Sequence, residues 1–252
     1  MLDLQVAPNG DVDHPAMPRT PEQIAADAAA CVRAGATLLH LHVFDDDGQE
    51  TLGGVHVARV LRAVRAVCPG TPINLTTFAA VVPDPAERLR LVESWTDLPD
   101  LVAANQGETR IDEVSAVLAA RGVAVEACVL SVDDVRVFLR RGGWPHFARL
   151  VVEPLEPVLA DALSLSEEME ALLSTEDVGL PQLHHGVGAA SWGIMRRAVT
   201  NGHAIRTGFE DTVHLEDGSR VESNTELVRA AAALKSAGGR GLRSEPGTSA
   251  TG

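Results

Sequence analysis

Thr37-Leu38-Leu39-His40-Leu41-His42-Val43-Phe44-Asp45 decides how this chain is read. Its bulky apolar positions, bounded by Gly35 and Gly48, read as a β-strand. Alternate side chains of a strand share a face, so His40 and His42 project together. Two buried neutral imidazoles are costly without a partner, and a divalent cation shared between them is one solution. A pair of core histidines bonded to backbone carbonyls is the other, and His-x-His alone does not choose between them.

Working outward, the strand is followed by a helical pattern, and the same alternation recurs along the chain. Strands are expected at 2–6, 37–43, 72–76, 101–104, 123–128, 148–152, 182–185 and 204–207. Helix starts carry their own signals. Thr20-Pro21-Glu22-Gln23 offers a capping hydroxyl, a first-turn proline and a capping-box glutamine. Asp84-Pro85-Ala86-Glu87 repeats the theme with an aspartate, and Ser223-Asn224-Thr225-Glu226 opens the last helix. Eight β-then-α units predict an α/β protein of the (β/α)8 TIM-barrel class. A doubly wound open sheet would show a glycine fingerprint after its first strand, and Asn9-Gly10-Asp11 is not one. Residues 1–238 are expected to form one barrel domain. Residues 239–252, rich in Gly, Ser, Thr and Pro, are expected to form a disordered tail.

With 45% hydrophobic residues in 252, the chain can bury one large core. A formal net charge of −14 argues against nucleic acid or an anionic membrane as partner. No apolar run is long enough to span a bilayer, and no signal peptide is visible, so a cytoplasmic location is expected. Cys31, Cys68 and Cys128 lack metal-ligand spacing and read as buried free thiols.

Barrel chemistry sits at the C-terminal ends of the strands. Polar residues gather there: Asn9 and Asp11, His40 and His42, Asn74, Thr76 and Thr77, Asn105, Glu126, then Arg206, Glu210 and Asp211. Glu210 is expected as the third metal ligand, giving a His2Glu set with open positions. A surface glutamate is its bland alternative, a capping carboxylate that of Asp211, and a rim arginine that of Arg206. Of the His184-His185 pair, one can face the site, although a structural role is the preferred reading.

The chain resembles the β-keto acid cleavage enzymes. The motifs are Pro18-Arg19-Thr20-Pro21-Glu22, Ala34-Gly35-Ala36 through His40-Leu41-His42, Asn74-Leu75-Thr76-Thr77, Asn105-Gln106-Gly107, and Asn201-Gly202-His203-Ala204-Ile205-Arg206-Thr207-Gly208-Phe209-Glu210-Asp211. The resemblance implies a zinc-dependent barrel, with another divalent metal as an option, acting on a β-keto acid and acetyl-CoA. Acetoacetate and a new CoA ester would be its products. It places the metal on His40, His42 and Glu210, makes Asp211 the base held by Arg206, and adds Thr76 and Glu126 to the catalytic set. Asn9, Asp11, Thr77 and Asn105 would contact substrate, and the assembly would be a homotetramer.

The sequence also departs from the family. Thr77-Phe78-Ala79 stands where Thr-Gly-Gly is usual, Ala103 where a threonine is expected, and Glu153-Pro154-Leu155-Glu156-Pro157 where a glycine-rich loop follows strand six. Two acidic residues there would repel CoA phosphates, for which Arg88, Arg90, Arg196 and Arg197 are the candidate partners. These departures keep two alternatives open: a CoA-independent, metal-dependent lyase or hydrolase of a keto acid, and a non-catalytic metal- or ligand-binding barrel.

Overall fold

The computed structural model describes residues 3–143, 146–176 and 178–241. Among them, eight parallel strands close into a barrel in sequence order. They are β1 (Leu4–Val6), β2 (Leu38–Leu41), β3 (Ile73–Leu75), β4 (Leu101–Asn105), β5 (Ala124–Val129), β6 (Arg149–Val152), β7 (Gln182–His184) and β8 (Ala204–Thr207). Closure pairs β1 with β8, Gln5 standing opposite Arg206. The helices between them are α1 (Pro21–Ala34), α2 (Gly54–Val67), α3 (Pro85–Glu93), α4 (Ile111–Ala120), α5 (Val132–Arg141), α6 (Leu159–Leu173), α7 (Ser191–Thr200) and α8 (Asn224–Gly241). This is the (β/α)8 barrel expected. The last helix runs past the domain boundary set at 238, and the rest of the expected tail, 242–252, lies outside the described residues.

The caps work as read. The Thr20 side chain accepts from the Gln23 backbone N–H while Gln23 reaches back to the cap, and Asp84 accepts from Ala86 N–H. Most strands bury both faces, while in β4 Leu101, Ala103 and Asn105 are only partly buried. The outward set, including Leu39, Leu41, Leu75, Val102 and Val125, belongs to the main apolar cluster with Ile24, Leu61, Val92 and Leu118 of the helices.

The inward set is more polar than a barrel core usually is. Gln5, His40, Asn74, Glu126, Arg149 and Arg206 are all buried, and neighbouring strands bring them into contact. Asn74 donates to Glu126 Oε2 at 2.7 Å, and the other Glu126 oxygen meets Arg149 at 2.6 Å. Buried polar groups must be paired, and these pair across three strands. No helix among the described residues is long and apolar enough to cross a membrane.

Candidate active site

His40, next to last in β2, faces the barrel axis, and His42 follows where β2 has already left the ladder. Glu210 arrives from the loop after β8. Its carboxylate oxygens stand 3.5 Å from His40 Nε2 and 3.4 Å from His42 Nε2. Gly208 makes that arrival possible: its φ is +153°, and a Cβ there would lie 2.0 Å from the Ala7 carbonyl oxygen. The loop packs onto the end of β1, where Glu210 N–H donates to Ala7 O at 3.3 Å. Gly10 then leaves space for the glutamate, since a Cβ there would meet Glu210 Cγ at 3.0 Å.

Both imidazoles are held from behind. Nδ1 of His40 donates to Asn74 Oδ1 at 2.6 Å, and Nδ1 of His42 to Glu50 Oε2 at 2.9 Å. Because both partners are acceptors, the Nδ1 protons are fixed and the Nε2 atoms turn toward Glu210. Asn9 adds a backbone bracket, accepting from His42 N–H at 3.0 Å and donating to His42 O at 2.9 Å. His42 Nε2 and Glu210 Oε2 are buried with no hydrogen-bond partner. Two imidazole nitrogens and a carboxylate converging with their other atoms satisfied form a donor set that fits a divalent metal.

The two rings differ electrostatically. Burial disfavours charge on His40 and dominates, holding its pKa down to about 3. Burial acts on His42 too but is outweighed by Glu210 and Glu50, which push it up to about 9. Glu210 is held well below the usual carboxylate range, because Arg206 and the two histidines overcome its desolvation.

Asp211 stands next to this cluster and is buried. Arg206 clamps it, with Nη2 2.7 Å from Oδ1 and Nε 3.1 and 3.2 Å from the two oxygens. The same Nη2 lies 2.9 Å from Glu210 Oε1, so one guanidinium ties the two acidic residues together. His185, read from sequence as structural, faces the site: its Nδ1 is 3.2 Å from Asp211 Oδ1 and its Nε2 3.4 Å from Glu153 Oε2. Glu153 is therefore an inward ion-pair partner rather than a bare charge at the mouth.

The other expected residues fall into two groups. Asp11 lines, with His42, Glu210, Arg19, Phe44 and Phe78, a cavity of about 580 Å³ over the cluster. Thr76 is buried at the end of β3, its hydroxyl accepting from Phe78 N–H at 3.2 Å. Thr77 donates to Ala103 O at 2.6 Å, Asn105 donates to Glu108 Oε1 at 3.0 Å, and Asn9 is engaged with His42. These three brace the pocket from behind. Glu126 reaches His40 only through Asn74.

Glu50, Asn74, Arg149, Glu153 and His185 complete the arrangement. Asn74 is already among the polar residues gathered at the strand ends, and Glu153 and His185 directly follow β6 and β7, where position could have flagged them. Glu50 reaches His42 across a tight turn and leaves no periodic signal.

A second His–Glu group, Glu170, His184 and His203, lies on the outer face of β7 and the start of β8. There the two rings are parallel, 5° apart in plane with centroids at 4.6 Å. A ligated metal lies in the imidazole plane, and stacked planes do not share one. His40 and His42 instead meet at 71°. The outer group is a hydrogen-bonded ion cluster, in which Glu170 pairs with Arg197 and His203.

A larger groove, about 1300 Å³, runs from Glu210 and Asp211 past Trp192, Val213 and Leu159 to Arg196. Of the four arginines offered for a phosphate-bearing ligand, Arg88 is buried against Glu108 and cannot serve. Arg90, Arg196 and Arg197 are paired with Glu87, Glu216 and Glu170. The first two of these pairs are exposed, and surface pairs are weak enough to be exchanged for a phosphate.

The chain as a whole has relatives of known kind. The chain is 29% identical over 231 residues to the 3-keto-5-aminohexanoate cleavage enzyme of Fusobacterium nucleatum, covering 85% of this chain and 82% of that one. It is 27% identical over 241 residues to the 3-oxoadipate:acetyl-CoA acetyltransferase of Cupriavidus necator, covering 88% and 82%. The fold matches that of ObcA, solved as a ternary complex with a C4-CoA adduct and oxalate, with a TM-score of 0.72 and 15% identity. The match takes in 90% of this chain and 65% of ObcA, so the chain spans under two thirds of that larger protein. The beta-keto acid cleavage enzyme family matches residues 2–245, which takes in every strand and every residue of the site, and the chain belongs to that family.

Proposed function

We propose that this protein transfers the carboxymethyl portion of a β-keto acid to acetyl-CoA, releasing acetoacetate and the CoA ester of the remaining acyl group. The observation that carries the reading is the placement of Asp211, clamped by Arg206, directly beside the His40–His42–Glu210 cluster at the junction of two cavities. The smaller cavity suits the keto acid. The larger groove, apolar along Trp192 and Val213 and ending at Arg196, suits the pantetheine arm and a phosphate.

His40, His42 and Glu210 would hold the metal, for which zinc is the first choice given two imidazoles and one carboxylate. When bound, such an ion polarises the keto oxygen and favours loss of the neighbouring α-proton. Asp211 takes that proton. Arg206 overcomes the desolvation of the carboxylate and, with His185, keeps it ionised below the usual aspartate range, ready to accept. The deprotonated α-carbon attacks the thioester carbonyl, the thiolate leaves and attacks the original keto carbon, and the bond from that carbon to the α-carbon breaks, the α-carbon of the departing acetoacetate taking back the proton held by Asp211. Bonds formed and broken balance without an oxidant or water. Asp11 and Thr76 border the keto acid, while Asn9, Thr77 and Asn105 hold the walls. Glu126 acts through Asn74 on His40.

Turnover of a β-keto acid panel, measured with and without acetyl-CoA, tests the reading. Consumption that requires acetyl-CoA and disappears after metal chelation is expected. Consumption indifferent to acetyl-CoA would place the protein among the CoA-independent lyases, and a protein that binds metal but turns over nothing would be a binding barrel.

A further inference from the structure

Resting on that reading, we infer that His185 and Glu153 are positioning residues for Asp211, a buried cation and its counter-ion that set which carboxylate oxygen is left to meet the substrate. The ion contacts around Asp211 point to such a pair. Arg206 Nη2 is shared between Asp211 Oδ1 and Glu210 Oε1, so a single guanidinium serves two buried carboxylates. His185 brings a second cation to the same oxygen. Its Nδ1 approaches Asp211 Oδ1 at 3.2 Å, from the side opposite its own contact with Glu153, whose Oε2 lies 3.4 Å from Nε2. Both ring nitrogens are buried without a hydrogen-bond partner, so these two approaches are ion contacts. The ring is wholly buried, and packing together with the two carboxylates restricts its rotation.

The result is asymmetric. Oδ1 of Asp211 faces both cations, whereas among the described residues Oδ2 accepts a hydrogen bond only from Arg206 Nε, at 3.2 Å. Oδ2 is thus the oxygen with free capacity for a substrate proton. The groups that bear on His185 are Arg206 from β8, Asp211 from the loop after it, Glu153 from the end of β6 and His184 beside it on β7. Burial and Arg206 oppose its charge, and the two carboxylates outweigh them, pushing its pKa up to about 9. The imidazolium is the form the arrangement uses, so positioning is present below that pKa and lost as pH rises through it.

His185→Gln and Glu153→Gln test this, each assayed for kcat, KM, metal content and the pH dependence of kcat, alongside wild type and Asp211→Asn. Displacing a reacting group by ~1 Å costs on the order of 10²-fold, so His185→Gln is expected to lower kcat by about 10- to 100-fold. Its KM for the keto acid and its metal content are expected to stay close to wild type. Glu153→Gln removes one of the two carboxylates that favour the charged ring. The alkaline limb of kcat should then move to lower pH, and Glu153→Asp should restore it. A purely packing role for His185 would not move that limb. Wild-type kcat in His185→Gln, or an unshifted limb in Glu153→Gln, would overturn the inference in a protein where Asp211→Asn is inactive. If His185→Gln does not fold, the limb in Glu153→Gln decides alone, because Glu153 sits partly exposed at the strand end. Absence of acetyl-CoA-dependent turnover in wild type is a separate failure and would overturn the reading on which the inference rests.

Discussion

His42 offers an unpartnered buried nitrogen to Glu210, and two acceptors hold the rest of the residue in place. His42→Ala removes a ligand and should abolish stoichiometric metal binding; equal metal content in wild type and variant, by elemental analysis, would defeat the assignment. Asp211→Asn keeps shape but cannot take a proton, so it should retain metal and lose about 10²- to 10⁴-fold in kcat. A near-normal rate would make Asp211 a structural carboxylate. The pairing of His40 with His42 was legible in the sequence because strand alternation puts them on one face. Their supports were not. Glu50 lies beyond a turn, and Asn9 meets His42 from a separate strand end, contacts that only the closed barrel creates. Which of His184 and His185 faces inward was not legible for a similar reason: the two carboxylates near His185 come from the end of β6 and from the loop after β8.

At the level of elements, the expected strands are all present, though several are shorter than read. β2 was expected over 37–43 and spans Leu38–Leu41. His42 leaves the ladder because its N–H donates to the Asn9 side chain instead of a neighbouring strand. Hydropathy cannot separate a ladder residue from one bonded this way, since both are buried. The helix starts were legible because a cap is local chemistry. Thr20→Ala should cost about 1 kcal/mol in urea unfolding through loss of the capping box. Gly208→Ala should cost more than about 2 kcal/mol, since its Cβ would collide with Ala7 backbone at a φ that favours glycine. A Gly208→Ala protein as stable as wild type would mean that the turn carrying Glu210 and Asp211 adjusts freely, contrary to the packing described.

For the whole molecule, the alternation of strand and helix was enough to select the barrel, and the order of polar strand ends was enough to locate its working end. Assembly was not legible, because an interface patch looks like any apolar surface in one sequence. Val158, Leu155 and Leu159 are exposed beside the large groove, a surface suited to a second subunit. A homotetramer is expected, and light scattering at micromolar concentration should give roughly four times the 26.6 kDa chain mass; a monomer mass would contradict it. The central claim concerns where carbon goes. Acetyl-CoA labelled at its carbonyl carbon, incubated with the protein and a β-keto acid that it consumes, should yield acetoacetate labelled at the keto carbon together with an unlabelled CoA ester. Keto acid consumed with no label in acetoacetate would contradict the account.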